Sequence, residues 1–145
     1  MVVDYNPDTI QELVSANVPN EYGDGGDINF LESLNLEKME LVVSTIPTLE
    51  ANTLITETIR KRNKKATIMM VAHSIKDALK LYSLGVDYVI LPHFLGGRYA
   101  ADMLAKSGGL NRRKFSSLRN KHLSYLQNKL ILGHDHPALN GERIY

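Results

Sequence analysis

Leu41-Val42-Val43-Ser44-Thr45-Ile46-Pro47 is the stretch that decides how this chain folds. It is a continuous β-favouring run stopped by proline, the pattern of a strand buried on both faces of a parallel sheet. A helical pattern follows from Leu49 to about Asn63, with Leu54, Ile55 and Ile59 inward and the basic run Arg60-Lys61-Arg62-Asn63-Lys64-Lys65 at its close. Thr67-Ile68-Met69-Met70-Val71-Ala72 is the next buried run. Ser74 with Asp77 has the spacing of a capping box, with Asp where Glu is usual. The helix it opens carries Ile75, Ala78, Leu79, Leu81 and Tyr82 and stops at Gly85, a left-handed C-terminal position. Asp87-Tyr88-Val89-Ile90-Leu91-Pro92 is a further strand. Strands and helices alternating through short connections predict an α/β fold, a parallel sheet with right-handed crossovers and helices on both faces.

The same alternation extends upstream. Met1-Val2-Val3-Asp4 is a short apolar run ending in a carboxylate, and a helix start follows at once. Asn6 can cap it, Pro7 suits the first helical position, and Asp8 sits well in the first turn. This helix runs to about Ala16 with Ile10, Leu13 and Val14 as its stripe, and Asn17-Val18-Pro19-Asn20 breaks it. Glu21-Tyr22 is a brief strand before Gly23-Asp24-Gly25-Gly26, and Asp27 caps a helix with Phe30, Leu31 and Leu34 inward. Downstream the pattern changes. Gly96-Gly97 leads into a helix through about Lys106, Ser107-Gly108-Gly109 breaks it, and a longer helix begins near Arg112. Its Phe115, Leu118, His122, Tyr125-Leu126 and Lys129-Leu130 recur at helical spacing. Gly133 to Tyr145 reads as a polar, loosely held tail.

Composition sets the outer limits. The chain has 145 residues, 43% of them apolar and 23% charged, with a formal charge of +1; this suits one ordinary globular domain. It contains no cysteine, which excludes a disulfide scaffold, a thiolate zinc site and a cysteine nucleophile, and fits a reducing compartment. No apolar stretch approaches the roughly 18 residues needed to cross a bilayer, and the N-terminus lacks the pattern of a signal peptide. The basic run Arg60 to Lys65 lies at a predicted helix C-terminus, where cations complement the macrodipole. With no aromatic residues interleaved for base stacking, it reads as a solvated face. His134-Asp135-His136 lacks an obvious third ligand, so no metal site is expected.

Asp4-x-Asn6-Pro7, Gly23-Asp24, Ser44-Thr45-Ile46-Pro47 with Asn52 following, and Leu84-Gly85-Val86-Asp87-Tyr88-Val89-Ile90-x-Pro92 occur in one order and spacing. Together they resemble the Rossmann-type regulatory domain called RCK, KTN or TrkA-N, found in potassium channels and in potassium or sodium/proton antiporters. Phe94-Leu95-Gly96-Gly97 looks more like the antiporter-linked branch than a dehydrogenase. The resemblance covers Met1 to about Leu104 and places residues 1–106 in that domain, with 107–145 as a helical extension and tail. It implies a non-enzymatic cytosolic sensor of NAD(H) or an adenine nucleotide (ATP, ADP or AMP). Such a sensor dimerises and passes its state to a membrane-embedded cation channel or antiporter at the inner face of the membrane, with no nucleic acid involved. Position by position, Asp4 would hold the adenosine ribose, Asn6 shape the same edge, and Asp24 with Gly25 sit at the adenine. Thr45 and Ile46 would line the cleft at one strand end, and His73 the next.

The acid of such a fold normally lies roughly 20 residues after a glycine-rich phosphate loop. The family's first strand, phosphate loop and first helix have no counterpart in this sequence, so the resemblance supplies no pyrophosphate site. A strand between Met1–Asp4 and Leu41–Ile46 would be missing, leaving a slot of roughly 10 Å, two interstrand spacings. Three fillers are expected: a partner chain, the Leu130-Ile131-Leu132 end, or direct re-pairing of the flanking strands. Two site residues also have a local reading. Asp4 can be the start of an Asx turn, and Asp24 can satisfy the amides of its own glycine-rich turn. The alternative function is a fragment of an NAD(P)-dependent epimerase or short-chain dehydrogenase, for which Tyr125-x-x-x-Lys129 supplies the pair that such enzymes use. The serine expected on the preceding strand is missing.

Overall fold

Two parallel sheets carry the strands of the computed structural model, which describes residues 1–106 and 112–131. β1 (Val2–Asp4) pairs with β2 (Asn20–Tyr22), Asp4 lying opposite Tyr22. β3 (Leu41–Ser44), β4 (Thr67–Val71) and β5 (Tyr88–Ile90) form the second sheet in that order, with Val43, Met69 and Tyr88 in register. The helices between them are α1 (Pro7–Ser15), α2 (Ile28–Ser33), α3 (Leu49–Arg62) and α4 (Ile75–Ser83), with a 3₁₀ turn at Leu36–Lys38. The expected α/β class and parallel pairing are present. The break at Ser107-Gly108-Gly109 and the tail from Gly133, with His134-Asp135-His136, lie outside the described residues.

The helix boundaries follow local chemistry. The Asn6 side chain accepts from Asp8 N at 2.9 Å at the start of α1, and Asp27 accepts from Asn29 N at 2.8 Å at the start of α2. Ser74 Oγ accepts from Asp77 N at 3.0 Å and donates to Asp77 Oδ2 at 2.7 Å. Helix α1 ends on Asn17 at φ +54°, with Val18 N donating to Leu13 O, and α4 ends on Gly85 at φ +97°, with Val86 N donating to Leu81 O. Both are the left-handed stop that satisfies terminal carbonyls.

One core is built on α3. Ile55 and Ile59 pack with Leu31 and Leu36 from the α2 segment, with Ile68, Met70 and Val89 from the sheet, and with Ala78 and Leu81 from α4. Leu31 and Leu36 anchor the β2–β3 connection on α3, and β1 and β3 remain in different sheets. Direct re-pairing of those two strands, one of the three alternatives, is therefore not made. Leu130 and Ile131 are helical rather than extended, and Leu132 lies outside the described residues.

Burial on both faces of β3 is not observed. Val42, Ser44, Ile68, Met70 and Val89 share the covered face, and Ile68 and Met70 are 0% exposed. Residues of opposite parity point the other way, and there Leu41 is 56%, Val43 50% and Tyr88 51% exposed. The continuous apolar run therefore behaves as an alternating strand, because α3 and α4 cover only the face that carries the core.

The basic run also departs from expectation at its first residue. Arg60 donates through Nε and Nη2 to Gly85 O (2.9 and 2.8 Å), through Nη1 to Ala66 O (2.6 Å), and through Nη2 to Asp87 Oδ2 (2.7 Å). The same Asp87 oxygen accepts from Ile68 N at 2.7 Å. Asn63 donates to Leu36 O, Glu37 O and Met39 O and accepts from Lys65 N and Ala66 N. Arg60 and Asn63 thus tie the amino ends of β4 and β5 to the 3₁₀ turn, while Lys61, Lys64 and Lys65 face solvent as expected. At the outer edge, the Tyr82 hydroxyl accepts from Val89 N at 3.1 Å and occupies a donor on β5.

Internal contacts divide the chain after Gly96. Helix α5 (Pro92–Lys106) starts at Pro92 and runs through Gly96-Gly97, where a start had been expected. Pro92 is pre-organised for the first helical position, and Phe94 N and Leu95 N both donate to Leu91 O. No residue of α5 is buried. Helix α6 (Arg112–Ile131) begins where the sequence places it. Replacing Arg60 by Ala should lower the free energy of unfolding by about 2–3 kcal/mol. Arg60→Lys should recover less than half of this, because an ammonium cannot reproduce the planar fork, and urea denaturation measures both.

Candidate functional site

The predicted residues lie at the carboxyl ends of β1 to β4, where ligands bind in open parallel α/β sheets. Asp4 is the last residue of β1. Its Oδ1 accepts from Asn6 N at 2.8 Å, and its backbone oxygen accepts from Gly23 N at 3.0 Å. Asp24 Oδ1 accepts from Gly26 N at 2.7 Å, while Asp27 N donates to Asp24 O at 3.0 Å. Both carboxylates therefore make the local turn contacts that a short acidic side chain is suited to. Each does so with one oxygen, and among the described residues the other oxygen accepts no hydrogen bond.

Gly23 is required by contact rather than by backbone angle, and Gly25 and Gly26 lie close to their neighbours. A Cβ on Gly23 would overlap the ring of Phe30. A Cβ on Gly25 would stand 3.1 Å from Ile46 Cδ1, and one on Gly26 would lie 3.6 Å from Ala51 Cβ. The loop after β2 is thereby brought against the end of β3 and the first turn of α3. Asp24, Gly25 and Ile46, predicted from separate motifs, meet here. Asp4 joins them through the Gly23 amide.

A buried amide holds the β3 end in place. Asn52 is 0% exposed. It accepts from Ser44 Oγ at 2.7 Å and donates to Ile46 O at 2.9 Å and Val71 O at 3.0 Å. Ile46 N donates to Ser44 Oγ at 3.3 Å. Ser44 and Asn52 thus work as a pair that sets where Thr45 and Ile46 lie, Thr45 exposed and Ile46 half-buried. Neither residue was singled out as a site residue from sequence, although both belong to the motif. The available signal was a polar residue on the inward face of a helix directly after a strand ending in Ser.

His73, exposed beyond β4, faces His93 in the first turn of α5, with ring centroids 6.1 Å apart. Among the described residues no group of three or more His, Asp or Glu is arranged to hold a metal ion. Tyr125 and Lys129 lie on α6, outside the sheet unit.

Parallel strands, an acid closing β1 and a glycine-rich turn beside the next strand end define a Rossmann-like α/β domain. The TrkA-N domain family model matches residues 1–92, and the chain belongs to that family. Among curated relatives, the glutathione-regulated potassium-efflux system protein KefC of Cronobacter sakazakii is 28% identical over 86 residues, covering 59% of this chain and 14% of that protein. KefC of Escherichia fergusonii is 23% identical over 142 residues, covering 95% of this chain and 23% of that protein. The chain thus spans less than a quarter of the length of these relatives. Among solved structures, the TrkA-N domain of the Escherichia coli inner membrane protein ybaL superposes with a TM-score of 0.65 at 19% identity, over 71% of this chain and 76% of that one. The NAD(P)-binding domain of an exopolyphosphatase-related protein from Archaeoglobus fulgidus gives 0.61 at 23% identity, over 72% and 77%. The GsuK channel bound to NAD gives 0.53 at 21%, over 63% and 16%. These likenesses establish the fold.

Asn52→Leu should destabilise the domain by about 3 kcal/mol, since it leaves two carbonyls and a hydroxyl without their partner. Gly23→Ala should cost about 1–3 kcal/mol by displacing Phe30, and the smaller ring-free side chain of Phe30→Leu should restore part of it. Thermal unfolding of the three variants measures both effects.

Proposed function

We propose that this chain is a nucleotide-sensing regulatory module of a potassium or sodium/proton transport protein, and that it is not an enzyme. The observation that carries the reading is the meeting of Asp24, Gly25 and Ile46 at the strand ends, with Asp4 tied to the same turn. Asp4 keeps one carboxylate oxygen for ribose hydroxyls, the role an acid at a strand's carboxyl end takes in dinucleotide-binding folds. Asn6 braces that edge by capping α1, Asp24 and Gly25 border the adenine, and Thr45, Ile46 and His73 line the rest of the cleft. The ligand class is NAD(H) or an adenine nucleotide. The names of the relatives support the transport context, since KefC is a potassium-efflux protein and GsuK a channel bound to NAD.

Regulation requires only differential binding. A ligand that fits one arrangement of the module tenfold better than another shifts their balance by about 1.4 kcal/mol, enough to bias a poised transporter. The module acts as a homodimer beside a membrane-embedded transport domain on the cytoplasmic side, residues 1–106 forming the sensor and 107–145 its extension. Among the described residues no helix is long and apolar enough to cross a membrane.

Calorimetric titration with NADH, NAD, ATP and AMP tests the site. At least one should bind, and Asp4→Ala should weaken it by about tenfold or more, the loss of a charge-assisted hydrogen bond. Binding of none of them, or equal binding by the variant, would contradict the assignment.

A further inference from the structure

Helix α6 carries Arg112, Arg113, Lys114, Arg119, Lys121 and Lys129 and no carboxylate. Surface helices usually interleave both signs and gain from pairs three or four residues apart; α6 can form no such pair within itself. Its formal charge is +6 in a chain whose total is +1, so the remaining residues sum to −5. Charge is segregated onto this helix. Arg112, Arg113 and Lys114 occupy its first turn, where the macrodipole disfavours cations, so helix stability does not account for the pattern.

The cations are mixed with apolar side chains. Arg119 is four residues from Phe115 and Lys121 three from Leu118, and residues so spaced share a face. Leu118 is 39% exposed and Leu126 48%. A surface that matches this helix must offer anions and an apolar layer together. Nucleic acid offers the first without the second. An acidic phospholipid surface presents phosphates above acyl chains.

We infer that α6 is a polybasic segment that binds the surface of a bilayer containing acidic phospholipid without crossing it. The inference concerns α6 alone and does not depend on the nucleotide site. Each Lys or Arg near such a surface strengthens binding by about fivefold, and the six cations supply an attraction that weakens as salt rises.

Co-sedimentation of the whole chain with vesicles tests this. The chain should pellet with equimolar phosphatidylcholine/phosphatidylglycerol vesicles, stay in solution with phosphatidylcholine alone, and be released by salt. Arg119→Gln combined with Lys121→Gln should weaken binding by about tenfold or more while leaving the helical circular dichroism unchanged. A Phe115→Trp reporter should shift its emission to the blue on acidic vesicles. No binding to acidic vesicles, equal binding to neutral ones, undiminished binding by the double variant, or a reporter that stays in water would each overturn the inference.

Discussion

The carboxyl edge of the larger sheet depends on one buried amide. Asn52 leaves no hydrogen-bonding group of its side chain idle, and it does so across three elements: the end of β3, the end of β4 and the first turn of α3. A buried amide is costly when half satisfied and rigidifying when fully satisfied. Its geometry is therefore a constraint on everything near it. The position of Ile46 follows from Asn52, the position of Gly25 follows from Ile46, and the turn bearing Asp24 is placed by both.

Helix α3 performs the corresponding task at its other end. There Arg60 and Asn63 gather carbonyls from the turns before β4 and β5 and from the 3₁₀ segment. Between these polar ends, Ile55 and Ile59 fill the core. One helix thus anchors the three-stranded sheet at both edges and holds the α2 connection against it. The β1–β2 pair shares no sheet hydrogen bonds with this frame. Its acid and glycine-rich turn lie close against the frame, Gly25 beside Ile46 and Gly26 beside Ala51. A ligand spanning Asp4 and the β3 end would bridge two pieces whose relation rests on packing, which suits a domain proposed to report ligand by shape.

Much of this was legible from local chemistry. Asn6, Asp27 and Ser74 cap helices as their side chains dictate, and Gly85 adopts the left-handed angle that its place after α4 required. The motifs Asp4-x-Asn6-Pro7 and Ser44-Thr45-Ile46-Pro47 pointed to the family that the chain proves to belong to. The departures have separate causes. Arg60 looked like a solvated cation because its partners, Gly85 O and Asp87, lie 25 and 27 residues away. Leu41 and Val43 looked buried because an apolar run does not reveal whether a second layer covers it. Gly96-Gly97 looked like a boundary because glycine is a poor helix former, yet Pro92 had already started the helix upstream.

By itself the sequence determined the order of strands and helices, their caps and stops, the parallel α/β class and the residues at each strand end. Those depend on periodicity, proline, glycine and short polar side chains acting within a few residues. Only the tertiary structure decided that β1–β2 and β3–β4–β5 form separate sheets, that Gly25 meets Ile46, and that Asn52, Arg60 and Asn63 hold the frame together. These are contacts between segments remote in sequence, and their geometry is set by which groups must find hydrogen-bond partners once water is excluded.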